Sequence, residues 1–201
     1  MPETIAIIDP PYGVNVVKNN KVGGGNLCRT GTYKEIIGDE TTETAKKAYK
    51  LLSDMGIDKM IIWGGNYFTD FLPPSPCWVV WDKKGDMESN NFADCEMAWT
   101  SFNTPARVFK CIWRGMIKQG EHDKRLHPTQ KPIEMLVDVI NKFTKEGDIV
   151  LDLFLGSGST LIACEKTNRI CYGMEIDPHY CDVIIKRYED YTGNKAMKVT
   201  N

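Results

Sequence analysis

Apolar runs short enough to be strands alternate along this chain with stretches whose apolar residues recur at helical spacing. That alternation points to an α/β fold, a mostly parallel sheet flanked by helices. The strand-like runs are Ile5–Ile8, Lys59–Trp63, Cys77–Trp81, Ile149–Phe154 and Ile170–Ile176. Ala45, Ala48, Leu51, Leu52 and Met55 mark one helix, and Ile133, Leu136, Val137, Ile140 and Phe143 another, with Pro132 in its first turn and Gly147 at its end. A glycine turn at 156–160 opens a helix to about Thr167, and Cys181, Ile184, Ile185 and Tyr188 line a last one. Cys95–Ser101 and Arg107–Trp113 read as a hairpin pair. The Gly- and Asn-rich stretch 13–41 (VGGGN at 22–26) shows no period and reads as a mobile loop.

At 201 residues, with no internal repeat and no linker, the chain reads as one domain. Seven cysteines form no CxxC pair, which argues against a disulfide framework and against a metal site. A reducing, cytoplasmic compartment is expected, since no basic N-terminal region leads into a long apolar run and no apolar stretch approaches membrane length. The net charge of −2 does not by itself suggest nucleic acid. Its distribution does: Arg107 to Lys131 carries seven basic residues against Glu121 and Asp123.

The segment DLFLGSGST follows one strand and opens a helix, and its glycines allow a tight turn and close approach to a ligand. Glu175, 17 residues beyond Gly158, ends the next strand, where an acid can accept both hydroxyls of a ribose. A dinucleotide fingerprint needs a third glycine where this chain has Leu161. A cofactor with ribose and no phosphate fits better, and S-adenosylmethionine is the leading candidate, with Asp152 as partner for its ammonium. In the alternative, Asp152 satisfies loop amides and Gly156 and Gly158 serve packing.

The run IAIID is followed by PPY. In an open parallel sheet, ligands sit beyond the carboxyl ends of the strands, which is where Asp9 falls. Pro10 and Pro11 fix φ and donate no N–H, so the turn can present carbonyls outward, and Tyr12 offers a flat face. A carboxylate, a carbonyl and a π platform match an exocyclic amine on an aromatic ring. The echo DPHY at 177–180 has a simpler reading: Asp177 caps a helix, Pro178 opens it, and His179 is a surface or capping residue.

Taken in order, IDPPYG, IIWGGNYF, WVVWDK, EMAWTS, HPTQKP and LDLFLGSGST resemble the amino-group DNA methyltransferases whose target-amine motif precedes the cofactor motif, in particular the small phage and bacterial N6-adenine type. The resemblance runs from about residue 5 to the end. It implies a circularly permuted, Rossmann-like methyltransferase sheet in one domain: a target-amine half over 1–102, a short basic DNA-contact insert over 103–126 and a cofactor half over 127–201. It implies methyl transfer from S-adenosylmethionine to adenine N6 in flipped-out DNA bases, as in restriction-modification. Asp9, Pro10, Pro11 and Tyr12 would hold the amine, and Asn66 and Tyr67 would border the base pocket. Asp152, Phe154, Gly156, Ser157 and Gly158 would surround the methionine end of the cofactor. Glu175 would bind the ribose, Ile176 would lie against the adenine, and Thr129, Gln130 and Lys131 would close over the cofactor's carboxylate.

Leu153 and Ser159 stand where many such proteins have Pro and Thr. The strand and GD unit that usually precede DPPY are missing, and the tail Ala196–Thr200 is a candidate for that edge strand. Only 25 residues separate EMAWTS from HPTQKP, too few for a large recognition domain. The basic stretch is therefore the candidate DNA contact, through Lys110, Arg114, Lys118, Lys124 and Arg125, with specificity loose or supplied by a homodimer or partner subunit. Its alternative is a solvated charged surface. The five tryptophans read as core or pocket wall. Cytosine N4, RNA and, more remotely, a protein glutamine remain alternative acceptors. An inactive cofactor-binding subunit and a dinucleotide oxidoreductase are the readings from other classes.

Overall fold

The computed structural model describes residues 2–18, 21–22, 35–89, 93–114, 117–119 and 126–199. Strand β1 (Thr4–Ile8) is followed by the two-residue strands β2 (Val17–Lys18) and β3 (Lys21–Val22), helix α1 (Glu43–Asp54) and strand β4 (Met60–Trp63). A 3-10 turn at Gly65–Tyr67 leads to β5 (Trp78–Asp82), β6 (Cys95–Thr100), β7 (Arg107–Lys110) and the short pair β8 (Trp113–Arg114) and β9 (Ile117–Lys118). Helix α2 (Ile133–Phe143), β10 (Ile149–Asp152), α3 (Ser159–Lys166), β11 (Ile170–Gly173) and α4 (Pro178–Thr192) complete the described elements.

Seven strands form one sheet in the order β11-β10-β1-β4-β6-β5-β7. Only β6 runs against the others, pairing antiparallel with both β4 and β5. Pleating sends alternate residues of β1 to opposite faces. Ile5 and Ile7 join Ile61, Trp63 and the α2 residues Met135 and Leu136 on one side. Ala6 and Ile8 join Ile62 and the α1 residues Ala45 and Leu52 on the other. Each fully buried Ile, Leu or Met among these contributes about 1.5–3 kcal/mol relative to exposure. Trp63, Trp81, Trp99 and Trp113 are buried and Trp78 half-buried, so the tryptophans are core and wall.

Three expectations from the sequence are corrected. β6 and β7 do not pair as a hairpin, because β5 lies between them and bonds to both. The described part of the tail, residues 194–199, forms no strand. Glu189 accepts from the backbone N–H of Ala196 at 3.0 Å and pairs with Lys195, which keeps the tail at the end of α4; β11 remains the sheet edge. The buried faces of two helices also differ: Leu51 and Met55 of the first are exposed, and α4 turns Tyr180, Ile184 and Arg187 inward while Ile185 is exposed. The structural reading of DPHY holds, with the Asp177 side chain accepting from His179 N–H at 2.8 Å and Pro178 at the first position of α4.

Much of 19–34 lies outside the described residues. The flanks of that stretch are pinned by Asp39, whose buried carboxylate accepts from Gly13 and Val16 backbone N–H groups at 3.0 and 2.7 Å. Among the described residues, six cysteines are free thiols and no helix is long and apolar enough to cross a membrane.

Candidate active site

Strands β11, β10, β1 and β4 are parallel, so their carboxyl ends share one edge of the sheet. The chain leaves β1 for β4 on one side, whereas β10 pairs with β1 on the other and leads outward to β11. The crevice between β1 and β10 is therefore a topological switch point, where ligands of open α/β sheets sit. Asp9 follows β1, Asp152 ends β10 and Glu175 lies two residues past β11.

Asp9 is held on both oxygens. Its Oδ1 accepts from the Tyr12 hydroxyl at 2.7 Å, and its Oδ2 pairs with Lys131 Nζ at 2.7 Å. Burial holds the Asp9 carboxyl above its ordinary range, and Lys131 and Tyr12 only partly offset this. Tyr12 stacks on Tyr67 with ring centroids 5.2 Å apart and meets Phe68 edge-on, so the rings expected to hold and border a base are in contact. Asn66 is exposed beside Tyr67. Gly64 has φ +73°, and a Cβ there would lie 2.3 Å from the Tyr12 ring, so only glycine lets this ring lie against the end of β4.

Lys131 faces the target-amine motif. Expected with Thr129 and Gln130 over a cofactor's carboxylate, it is buried and bridges Asp9 and Glu96, the latter at 3.1 Å, with its ammonium above the rings of Trp63 and Tyr12. A buried ammonium needs counter-charge, and these two carboxylates supply it. Burial would lower the Lys131 pKa, but Asp9 and Glu96 outweigh it and raise it. Burial would likewise raise Glu96, but Lys131 and Lys83 together hold it at about 2. Thr129 and Gln130 instead shape their own turn. Thr129 bonds the ring of His127, and the Gln130 side chain accepts from Leu126 N–H at 2.9 Å.

The glycine turn is built against α4 and against that same segment. Gly156 and Gly158 have φ +55° and +82°. The His127 ring lies 3.6 Å from where a Gly156 Cβ would be and packs edge-on to Tyr180. Burial, then Lys131, lowers the His127 pKa to about 4, so the ring is neutral at pH 7. Arg187 donates to the Ser157 carbonyl at 2.6 Å and the Ser157 hydroxyl at 3.1 Å. Glu175 accepts from Gly156 N–H on one oxygen and from Ile176 and Asp177 N–H on the other, each at 2.8 Å. Asp152 accepts from Phe154 N–H at 2.9 Å, as the loop-amide alternative anticipated. Its pKa is nonetheless raised to about 7, by burial first and by the charge of Asp9, against the bonds from Phe154 and Thr160. Ile176 is 74% exposed beside this turn.

Lys110 is exposed on the edge strand β7, Arg114 and Lys118 lie on the β8–β9 pair, and Lys124 and Arg125 fall outside the described residues. Sequence reasoning missed Glu96, Lys83, His127 and Arg187. The one available signal was a glutamate inside the otherwise apolar strand sequence EMAW.

The family model described as DNA methylase, covering N6 and N4 methyltransferases, matches residues 4–187, and the chain belongs to this family. The type II methyltransferase M2.LlaDCHI of Lactococcus lactis subsp. cremoris is 33% identical over 110 residues, which cover 54% of this chain and 40% of that protein. M2.DpnII of Streptococcus pneumoniae, also a type II methyltransferase, is 31% identical over 112 residues, or 55% and 41%. The matched region thus spans about two fifths of these curated relatives. Among solved structures, M1.HpyAVI in its SAM complex aligns over 93% of this chain and 88% of its own with TM-score 0.54 and 23% identity. The cytosine-N4-specific PvuII DNA methyltransferase aligns over 93% and 79% with TM-score 0.58 and 12% identity. The chain shares the fold of these methyltransferases.

Proposed function

We propose that this chain transfers the methyl group of S-adenosylmethionine to the N6 amine of adenine in DNA. The observation that carries the reading is the DPPY carboxylate at the switch point, with Asp152 ending β10 and Glu175 two residues past β11 on the same edge. The crevice residues suit this cofactor: a glycine turn with two left-handed residues, a buried acid to meet an ammonium, a carboxylate at the next strand end and exposed Ile176 for a purine face. When bound, the cofactor supplies an electrophilic methyl on sulfur. Asp152, Phe154, Gly156, Ser157, Gly158, Glu175 and Ile176 would hold it, with Thr129 and Gln130 shaping the adjoining turn.

The remaining work falls to the chain's own side chains. An aromatic amine is a poor nucleophile because its lone pair is conjugated into the ring. Asp9 and the Pro10 carbonyl, accepting its two hydrogens, draw the nitrogen toward a tetrahedral shape and localise that pair. The carboxylate also lies on the way out for the proton the nitrogen sheds. Tyr12 and Tyr67 supply a stacking surface, worth about 1–3 kcal/mol per base, comparable to the few kcal/mol needed to flip one out. Orientation of both reactants can supply about 7–11 kcal/mol of the barrier.

Residues 1–102 form the amine half and 127–201 the cofactor half. Lys110, Arg114, Lys118, Lys124 and Arg125 meet phosphates, which position DNA without reading sequence; sequence preference is then loose or supplied by a second subunit. Asp before PPY favours adenine by resemblance. The test is incubation of the chain with tritiated S-adenosylmethionine and unmethylated DNA or, separately, RNA, followed by separation of nucleosides. Label in N6-methyladenine is the expected result. Label in N4-methylcytosine moves the reading to cytosine, and cofactor binding with no label on DNA or RNA reduces the chain to a scaffold.

A further inference from the structure

Four charged groups of alternating sign form a row that ends at Asp9. Lys83 Nζ lies 2.7 Å from Glu96 Oε1, Lys131 Nζ lies 3.1 Å from Glu96 Oε2, and the same Nζ lies 2.7 Å from Asp9 Oδ2. Lys83 follows β5, Glu96 sits in β6, Lys131 precedes α2 and Asp9 follows β1, so four separate parts of the chain build the row.

Each oxygen of Asp9 already has a donor, the Tyr12 hydroxyl on Oδ1 and the Lys131 ammonium on Oδ2, so an incoming amine competes with one of them. The Tyr12 hydroxyl is the harder one to move. Its ring is stacked on Tyr67, edge-on to Phe68 and seated against Gly64. Lys131 has a flexible stem, and its ammonium already touches a second carboxylate. We propose that Glu96 is a positioning residue acting through Lys131: it is the second seat to which the Lys131 ammonium withdraws when the target amine takes Asp9 Oδ2, while Lys83 holds Glu96 in place. Lys131 thereby occupies the amine's position in the resting site and keeps the buried carboxylate paired until substrate arrives. This rests on the reading that Asp9 receives the target amine.

The groups facing Asp9 are Tyr12, Lys131, Glu96 and Asp152, with Tyr67 beside Tyr12, Lys83 behind Glu96 and His127 within the field of Lys131. Burial raises Asp9, Lys131 lowers it and Glu96 raises it again. Since the ionised carboxylate is the stronger acceptor for the amine, the acid limb of kcat/KM for DNA reports the titration of Asp9.

The test compares the wild-type chain with Glu96→Gln and Lys83→Met, from pH 5 to 9, at saturating S-adenosylmethionine with unmethylated genomic DNA, alongside calorimetric cofactor binding. Glu96→Gln removes the second negative charge and leaves Asp9 as the one carboxylate paired with Lys131. The fraction of Asp9 open to an amine falls, KM for DNA rises about tenfold, and the acid limb moves to lower pH. Lys83→Met frees Glu96 to draw Lys131 away, and the acid limb moves to higher pH. Cofactor affinity stays within a few-fold in both variants. Opposite shifts are the supporting result, which loss of folded protein cannot mimic. Limbs that stay put, or shift the same way, overturn the proposal, as does loss of cofactor binding in parallel with activity. If the wild type neither binds cofactor nor methylates DNA, the underlying functional reading fails. If it methylates and the limbs do not separate, this inference alone fails.

Discussion

Glu175 Oε2 accepts a 2.8 Å hydrogen bond from the backbone N–H of Gly156, 19 residues earlier in the chain, while its Oε1 accepts from Ile176 and Asp177. The carboxylate thus ties the end of β11 to the glycine turn after β10, and a ligand binding there finds the turn already closed. Hydrogen bonds to a charged group are worth about 1.5–3 kcal/mol each. Glu175→Ala is expected to weaken S-adenosylmethionine binding about 10–100-fold, with kcat at saturating cofactor changed only several-fold; calorimetry and initial rates check this.

Asp152 titrates near 7 because it is buried. Its folded-state pKa lies above the unfolded value, so the stability it contributes is fully present below about pH 4. That contribution is lost as pH rises through about 7. An ammonium partner requires the ionised form. Cofactor affinity should be level above pH 8 and fall by up to about tenfold per unit well below pH 7. Asp152→Asn should bind more weakly, lose that pH dependence and melt at a higher temperature than wild type at pH 8.

Asp9→Asn preserves shape and removes charge, leaving Lys131 with Glu96 as its counter-ion. Methyl transfer should fall about 100–1,000-fold, the scale for losing one preorganised polar contact to a reacting group. Cofactor affinity should stay within a few-fold. Equal loss of both in tritium-transfer and binding assays would place Asp9 outside the reaction.

Gly64→Ala forces a side chain into a left-handed position and into the Tyr12 ring. The expected cost is about 1–3 kcal/mol of stability, read by denaturant melts. Transfer should fall further than stability accounts for, because displacement of Tyr12 disturbs Asp9.

Lys124→Ala with Arg125→Ala removes two cations from the basic stretch. If both meet phosphates, the slope of log K against log salt should flatten by about 1.8, measured by fluorescence anisotropy on duplex DNA. An unchanged slope would move the DNA to another surface.

Local chemistry was legible in the chain before it folded. An apolar run followed by Asp-Pro-Pro-Tyr must end a buried strand on a stiff turn, whatever its neighbours. Positive-φ glycines after Asp152, the Asp177 cap and the buried tryptophans follow from backbone and transfer energetics of nearby residues. What tertiary structure alone decided were relations between distant segments. β5 separates β6 from β7, the described tail stays at the end of α4, and Lys131 pairs with Asp9 and Glu96. Hydrophobic period and turn chemistry act over a few residues, whereas a buried ammonium takes whichever carboxylates the strand order brings within reach. That order is set by packing of the whole sheet, which no short stretch of sequence encodes.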